Sequence, residues 1–176
     1  YPVERHYRDN RLNAIHEGTY GIHGLDLLGR KVRMEGGWAM DLLVLEIGQT
    51  QDAAEAQGGF SEEIDALHGA LAGLGRATRA VLACKDPERA LANATLYLDS
   101  FGHIVIAWLW LKQAVAASRA LANGTGTGET DFHQGKIGAC RYFFRYELPR
   151  ALPLLVLVER LDDTCMEITP AQFLGS

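Results

Sequence analysis

The sequence predicts an all-α fold, an antiparallel bundle of about seven helices. Apolar residues recur at helical spacing over most of the chain. No stretch sustains the alternation of apolar and polar residues that a half-buried strand requires, and no Asn-Gly hairpin joins two such stretches. The chain has 176 residues, 48% of them hydrophobic, which is enough for a compact core. Strands are therefore not predicted.

The first two predicted helices are separated by a short break. Residues 2–13 are predicted to form a helix with a proline in its first turn. The segment 16–19 then interrupts the helical pattern. A second apolar stripe follows, formed by Ile22, Leu25, Leu28 and Val32. Glu17 is thus predicted to lie at a helix–loop–helix junction.

Glycine and proline divide the rest of the chain into long predicted helices. Their expected ranges are 38–57, 61 to about 83, 89–123, 131–145 and 148–161. Gly102 is a possible bend or division in the longest of them, and Pro149 and Pro153 punctuate the last. The glycine-rich segment 124–128 is predicted as a flexible loop. The two glycines Gly36 and Gly37 mark the expected boundary between a segment of residues 1–35 and a larger domain of residues 38–176.

Charge and composition limit the possible partners. The net charge of −5 argues against nucleic acid binding. The longest apolar run, residues 104–111, is far shorter than the roughly 20 residues that cross a bilayer, so no membrane span is predicted. Three widely spaced cysteines indicate no disulfide framework, and buried, inert thiols in a cytoplasmic protein are expected. The chain enters a helix without an initiator Met, which suggests a fragment of a longer protein.

Few residues suggest chemistry by spacing alone. Glu17 could act as a base, although a glutamate beside a helix N-terminus is more often a solvated residue that complements the helix dipole. The six histidines lack metal-ligand spacing, so no metal site is predicted, and a structural role is expected for His16. The glycine-rich loop lacks a phosphate-binding pattern. Five aromatic residues are expected in a core or a subunit interface, namely Trp108, Trp110, Phe143, Phe144 and Tyr146.

Two stretches carry a resemblance to a known family. Residues 1–12 (YPVERHYRDNRL) and residues 15–31 (IHEGTYGIHGLDLLGRK) resemble the acyl-CoA dehydrogenase signature near the end of its catalytic core. The remaining chain resembles the extra C-terminal helical domain of a long subgroup similar to methylmercaptopropionyl-CoA dehydrogenase. That second likeness is concentrated at residues 135–136, 141–144 and 147–150. Together the two stretches account for nearly the whole chain.

The resemblance implies a flavin-dependent oxidation of acyl-CoA in the intact enzyme. Glu17 matches the base that removes the α-proton, and Gly18 and Thr19 match a turn that contacts the cofactor. FAD would be the cofactor, acyl-CoA the substrate and electron-transferring flavoprotein the partner of a homo-oligomeric enzyme. Gly21 and His23 stand where many relatives have glutamine. A fragment without the flavin-binding core is expected to be inactive alone.

An alternative interpretation is a non-catalytic helical module for oligomerisation or partner contact. Glu17 would then only solvate a helix end. The apolar stripes after residue 38 also favour packing against the core or a second subunit.

Overall fold

The structure, a computed structural model, describes residues 3–15, 19–124, 126 and 128–174. Over these residues the chain is helical with no strand, which confirms the predicted all-α class. The α-helices are α1 Val3–Ile15, α2 Tyr20–Gly29, α3 Trp38–Gln57, α4 Ser61–Ala83, α5 Pro87–Leu91, α6 Ala94–Ala122, α7 Thr130–Tyr142, α8 Ala151–Glu159, α9 Thr164–Glu167 and α10 Pro170–Leu174. Within the described part, seven of these helices have nine or more residues.

Helix α6 is the centre of the bundle. Helices α2, α3, α4, α7 and α8 all pack against it. Its buried residues are Ala94, Tyr97, Ser100, Ile104, Ala107, Leu111, Ala114, Val115 and Ala117. The stretch Pro87–Ala122 is long and apolar enough, by length and composition alone, to cross a membrane. Five helices pack against α6. A helix at the centre of a bundle is apolar on most of its sides, so it has the same length and composition as a membrane-spanning helix.

The contacts between α6 and α8 show that the two helices are antiparallel. The hydroxyl of Ser100 donates to the carbonyl of Ala151 at 3.3 Å. At the other end, the side-chain amide of Asn93 donates to the carbonyl of Asp162 at 2.6 Å. Since the paired positions run in opposite order, α8 returns along α6 toward its N-terminus.

Helix α3 runs parallel to α6, and α4 then reverses direction. The indole N–H of Trp108 donates to the Thr50 hydroxyl at 2.8 Å, and Gln57 donates to Ser118 at 3.1 Å. The reversal occurs at Gly58–Gly59, where both residues have positive φ values of 78° and 80°. Glycine adopts that backbone conformation without a steric penalty.

The long helix predicted for residues 89–123 is interrupted at a different place from the expected bend. Gly102 lies within the unbroken α6, so the helix is not divided there, and a bend at Gly102 stays a prediction. The interruption falls at residues 92–93, because Asn93 leaves the helical conformation and donates to the carbonyl of Asp162. The preceding α5 is capped by Asp86, whose carboxylate accepts the N–H groups of Glu88 and Arg89 at 3.0 and 3.3 Å.

The region between α7 and α8 is more irregular than predicted. Helix α7 ends at Tyr142, three residues before the expected end, and continues as a π-helical turn, Phe143–Glu147. A 3-10 turn, Leu148–Arg150, then leads into α8. Pro149 explains the change, since it has no N–H to donate to a carbonyl four residues earlier. Helix α8 ends at Glu159, and the short helices α9 and α10 were not predicted.

The expected domain boundary coincides with a sharp turn. Glu35, Gly36 and Gly37 have φ values of 50°, 70° and 95° between α2 and α3. On the N-terminal side of this turn, Leu28 and Val32 belong to the same buried core as α6. The division into residues 1–35 and 38–176 stays a prediction.

Candidate functional site

The segment predicted to carry the chemistry joins α1 to α2. Helix α1 ends at Ile15 and α2 begins at Tyr20. Glu17 and Gly18, with His16, lie outside the described residues. The residues that follow them, Thr19 and the first turns of α2, determine where this segment of the chain joins the bundle.

Thr19 is the residue immediately before α2, and it is half-buried. Its carbonyl accepts the N–H of His23 at 2.8 Å, which closes the first turn of the helix. The first N–H groups of a helix have no carbonyl partner within the helix, and they favour acceptor or anionic groups. This geometry is compatible with a hydrogen bond from the start of α2 to an acceptor atom of a ligand.

Tyr20 connects the start of α2 to the central helix. Burial, followed by hydrogen bonding to the carboxylate of Asp99 on α6 and by the charge of that carboxylate, raises the pKa of Tyr20 to about 12. The phenol therefore stays protonated at physiological pH and is the donor in this contact.

Gly24 brings the backbones of α2 and α6 together one turn further along. It is buried, and a Cβ atom at this position would lie 2.8 Å from the carbonyl oxygen of Ala94. Glycine is required here by this close backbone approach rather than by its φ angle. By contrast, a Cβ at Gly21 on the same helix would meet nothing within 4 Å.

His103 lies one turn after Asp99 on α6. The Nδ1 atom of His103 lies 2.8 Å from the backbone carbonyl of Asp99, and the His103 ring lies 6.2 Å from the ring of Phe143. Phe143 opens the π-helical turn. Across the described ranges of the chain, no three His, Cys, Asp or Glu side chains form a metal-binding group.

The cysteines differ in their exposure. Cys140 is buried, and burial raises the pKa of its thiol to about 12, so it is unreactive at neutral pH. Cys84 is half-buried. Cys165 is exposed, so the expectation of three buried thiols is wrong at this position, because the short α9 has no buried residue.

The five aromatic residues predicted for a core or an interface also differ in their exposure. Phe144 is buried, whereas Trp108, Trp110 and Phe143 are partly buried against the core. Tyr146 is exposed and stacks on Tyr142 with ring centroids 4.8 Å apart. The core role is confirmed for Phe144, Trp108, Trp110 and Phe143, whereas a role of Tyr146 in a subunit interface stays a prediction.

The fold and these contacts define a class, an all-α helical bundle domain. Residues 43–169 match the family described as acetyl-CoA dehydrogenase C-terminal like. The chain therefore belongs to this family, as its resemblance to the acyl-CoA dehydrogenases predicted.

Curated relatives extend the match to nearly the whole chain. The broad-specificity linear acyl-CoA dehydrogenase FadE5 of Mycobacterium tuberculosis is 29% identical over 98% of this chain. The 3-methylmercaptopropionyl-CoA dehydrogenase of Ruegeria pomeroyi is 33% identical over 80%, and the butyryl-CoA dehydrogenase of Syntrophomonas wolfei is 24% identical over 95%. The chain spans only 30%, 24% and 28% of the lengths of these three proteins. It corresponds to their C-terminal part.

Proposed function

We propose that this chain is the C-terminal part of an FAD-dependent acyl-CoA dehydrogenase, which oxidises an acyl-CoA to its trans-2-enoyl-CoA. The observation that carries the proposal is the alignment with FadE5, which covers 98% of the chain and so includes the α1–α2 segment as well as the bundle. All three relatives are acyl-CoA dehydrogenases by name.

In this proposal Glu17 is the general base. Its carboxylate removes the α-proton of the acyl-CoA while the thioester carbonyl is polarised. A free glutamate has a pKa near 4.3 and is a weak base in water. Enclosure beside an apolar acyl chain would raise that pKa and make the carboxylate a stronger base.

Gly18 and Thr19 are the proposed cofactor contacts. Thr19 fits this role because it is half-buried and lies where α2 offers backbone N–H donors. FAD, when bound, would supply the acceptor for the β-hydride. Electron-transferring flavoprotein is the proposed partner for reoxidation, and the intact enzyme is proposed to be a cytoplasmic homo-oligomer that binds no nucleic acid.

The isolated chain is proposed to be inactive. It spans less than a third of the length of its curated relatives, and the remaining two thirds of such an enzyme would supply most of the flavin and CoA site.

A non-catalytic helical module is the second candidate. The observation that favours it is an apolar stripe on the outward face of α3, formed by Trp38, Leu42 and Leu45. All three side chains are exposed, and exposed apolar stripes mark contact surfaces. In that case the bundle would serve assembly, and removal of residues 38–176 would disturb oligomerisation more than the chemical step.

A flavin spectrum and an acyl-CoA titration of the whole protein test the proposal. The whole protein should be yellow, and acyl-CoA should bleach it in the absence of an electron acceptor with release of the 2-enoyl product. The Glu17→Gln variant should bind flavin and fail to bleach. Absence of flavin from the whole protein would favour the helical module, whereas bleaching of the variant at the wild-type rate would show that Glu17 is not the base.

A further inference from the structure

Helices α3 and α6 border a groove on the surface of the bundle. Side chains from both helices enclose a volume of about 320 Å³. The lining residues are Glu46, Gln49, Thr50 and Ala53 from α3 and Lys112, Val115, Ala116 and Arg119 from α6. Thr50 and Val115 are buried, whereas the three charged residues are exposed. The groove therefore has a buried floor and a charged rim.

An exposed apolar stripe of α3 leads into this groove. Trp38, Leu42 and Leu45 form the stripe, and they are 57%, 38% and 57% accessible. Gln49, which lines the groove, lies one turn after Leu45, and residues four apart share a face of a helix. The stripe and the groove are thus continuous along one face of α3.

Helix α6 also keeps exposed apolar residues beside the groove. Ile106 and Leu109 are 46% and 43% accessible, and Leu109 lies one turn before the groove residue Lys112. Only 33% of the most apolar 18-residue window in Pro87–Ala122 is buried within the chain. The central helix therefore still presents an apolar face to the outside.

The two helices that form the groove carry charges of opposite sign. Helix α3 has four acidic residues and neither Lys nor Arg, and one of the acids is Glu46 at the groove. Residues 100–122 of α6 include Lys112 and Arg119 and no acid. The Lys112 ammonium lies 5.6 Å from the ring centroid of Trp108. The ion pairs formed among the described residues do not use any of these three charged groups at the groove.

This surface is complementary to a second copy of itself. Thr50 lies beside Trp108, so the acidic residue Glu46 comes before that level and the basic Arg119 comes after it. Because α3 and α6 are parallel, a two-fold axis perpendicular to them reverses this order in the second copy. Glu46 of each copy then lies beside the basic residues of the other, and each such contact occurs twice.

We propose that the groove and the adjoining apolar stripe bind a second copy of this chain through a two-fold contact. The inference rests on the homo-oligomer included in the proposed function, and it names the surface that forms it. Stable contacts of this kind have an apolar centre and a polar rim. The stripe supplies the centre, and Glu46, Lys112 and Arg119 supply the rim.

Sedimentation velocity of the whole protein tests the inference with two charge reversals. Glu46→Lys and the double variant Lys112→Glu/Arg119→Glu each place like charges opposite one another when two identical copies meet. Each should raise the dissociation constant about tenfold or more, since like charges that face each other across an interface are strongly unfavourable. Both should therefore sediment as a species of lower mass than wild type.

A matched control lies on the same helix. Glu55→Lys makes the same change of charge on α3, but Glu55 lines a different cavity, at the turn between α3 and α4. It is exposed, as Glu46 is. This variant should sediment like wild type.

A mixture of the two charge-reversed proteins separates a second copy from every other occupant of the groove. In a mixed pair, the new lysine of one copy faces the new glutamates of the other, and the second of the two symmetric contacts keeps its native charges. An equimolar mixture should therefore associate with nearly the wild-type dissociation constant. Differently tagged proteins should also co-purify from the mixture, although neither associates with itself.

Three results would overturn the inference. The first is a monomeric wild-type protein, and the second is unchanged sedimentation of both charge-reversed proteins. The third is a mixture that stays dissociated, which would mean that another part of the whole protein covers the groove. If wild type bleaches with acyl-CoA and Glu17→Gln does not, any of these failures leaves the proposed dehydrogenase activity intact.

Discussion

Helix α1 lies outside the hydrophobic core, whereas helix α6 lies at its centre. Every residue from 3 to 13 of α1 is exposed, and its apolar side chains Val3, Tyr7 and Leu12 are 65%, 69% and 55% accessible. Helix α6 is surrounded by five other helices and supplies the largest share of buried residues. The core of the bundle is thus complete without α1.

The difference separates two uses of apolar residues in one chain. Apolar residues of α6 stabilise the fold of this domain, because they are removed from water. The apolar residues at positions 3–13 of α1 add nothing comparable within the described part of the chain. They are the type of surface that becomes buried against another part of a larger protein, which agrees with the share of the relatives' length that the chain spans.

The largest effect should come from a pair of identical substitutions on the two helices. Leu111→Ala on α6 removes a fully buried side chain and should lower the free energy of unfolding by about 2–5 kcal/mol. Leu12→Ala on α1 should change it by less than about 0.5 kcal/mol. Urea unfolding of the chain measures both. Similar losses for the two variants would show that α1 is part of the core.

A second pair compares two glycines of α2. Gly24→Ala places a Cβ 2.8 Å from the Ala94 carbonyl oxygen, so the helices must separate, and about 1–3 kcal/mol of stability should be lost. Gly21→Ala enters open space and should stabilise the helix by about 0.5–1 kcal/mol. Thermal unfolding should therefore move in opposite directions. A stabilised Gly24→Ala variant would contradict the close approach of α2 and α6.

The smallest effect is expected at the cap of α5. Asp86→Ala removes the acceptor for two backbone N–H groups and should lower stability by about 1 kcal/mol. Asp86→Asn keeps a capping oxygen and should remain near wild type. The two variants can be compared by thermal unfolding at neutral pH. Equal melting temperatures for them would mean that the cap does not contribute.

Local signals predicted much of the fold. The ranges of α3 and α4 agree with expectation because glycine and proline mark their ends in the sequence itself. The interruption at Asn93 was missed because it depends on the carbonyl of Asp162, which is remote in sequence. The π-helical turn was missed for a related reason: Pro149 was recognised, but its effect on the preceding turn depends on how α7 and α8 pack.

The candidate site was predicted less completely than the fold. Glu17, Gly18 and Thr19 follow from the resemblance, and their roles stay predictions. The contact of Tyr20 with Asp99 has no local signature, because it joins residues on two different helices. A tyrosine and an aspartate at unrelated positions become partners only when α2 is packed on α6.

The most direct measurement compares two glutamate variants of the whole protein. Stopped-flow bleaching by acyl-CoA should be about 10²–10⁴-fold slower in Glu17→Gln than in wild type, the usual contribution of a general base. Glu4→Gln, on the exposed surface of α1, should bleach at the wild-type rate. This pattern is the result that the account predicts. A Glu17→Gln variant that bleaches as fast as Glu4→Gln would show that Glu17 is not the base.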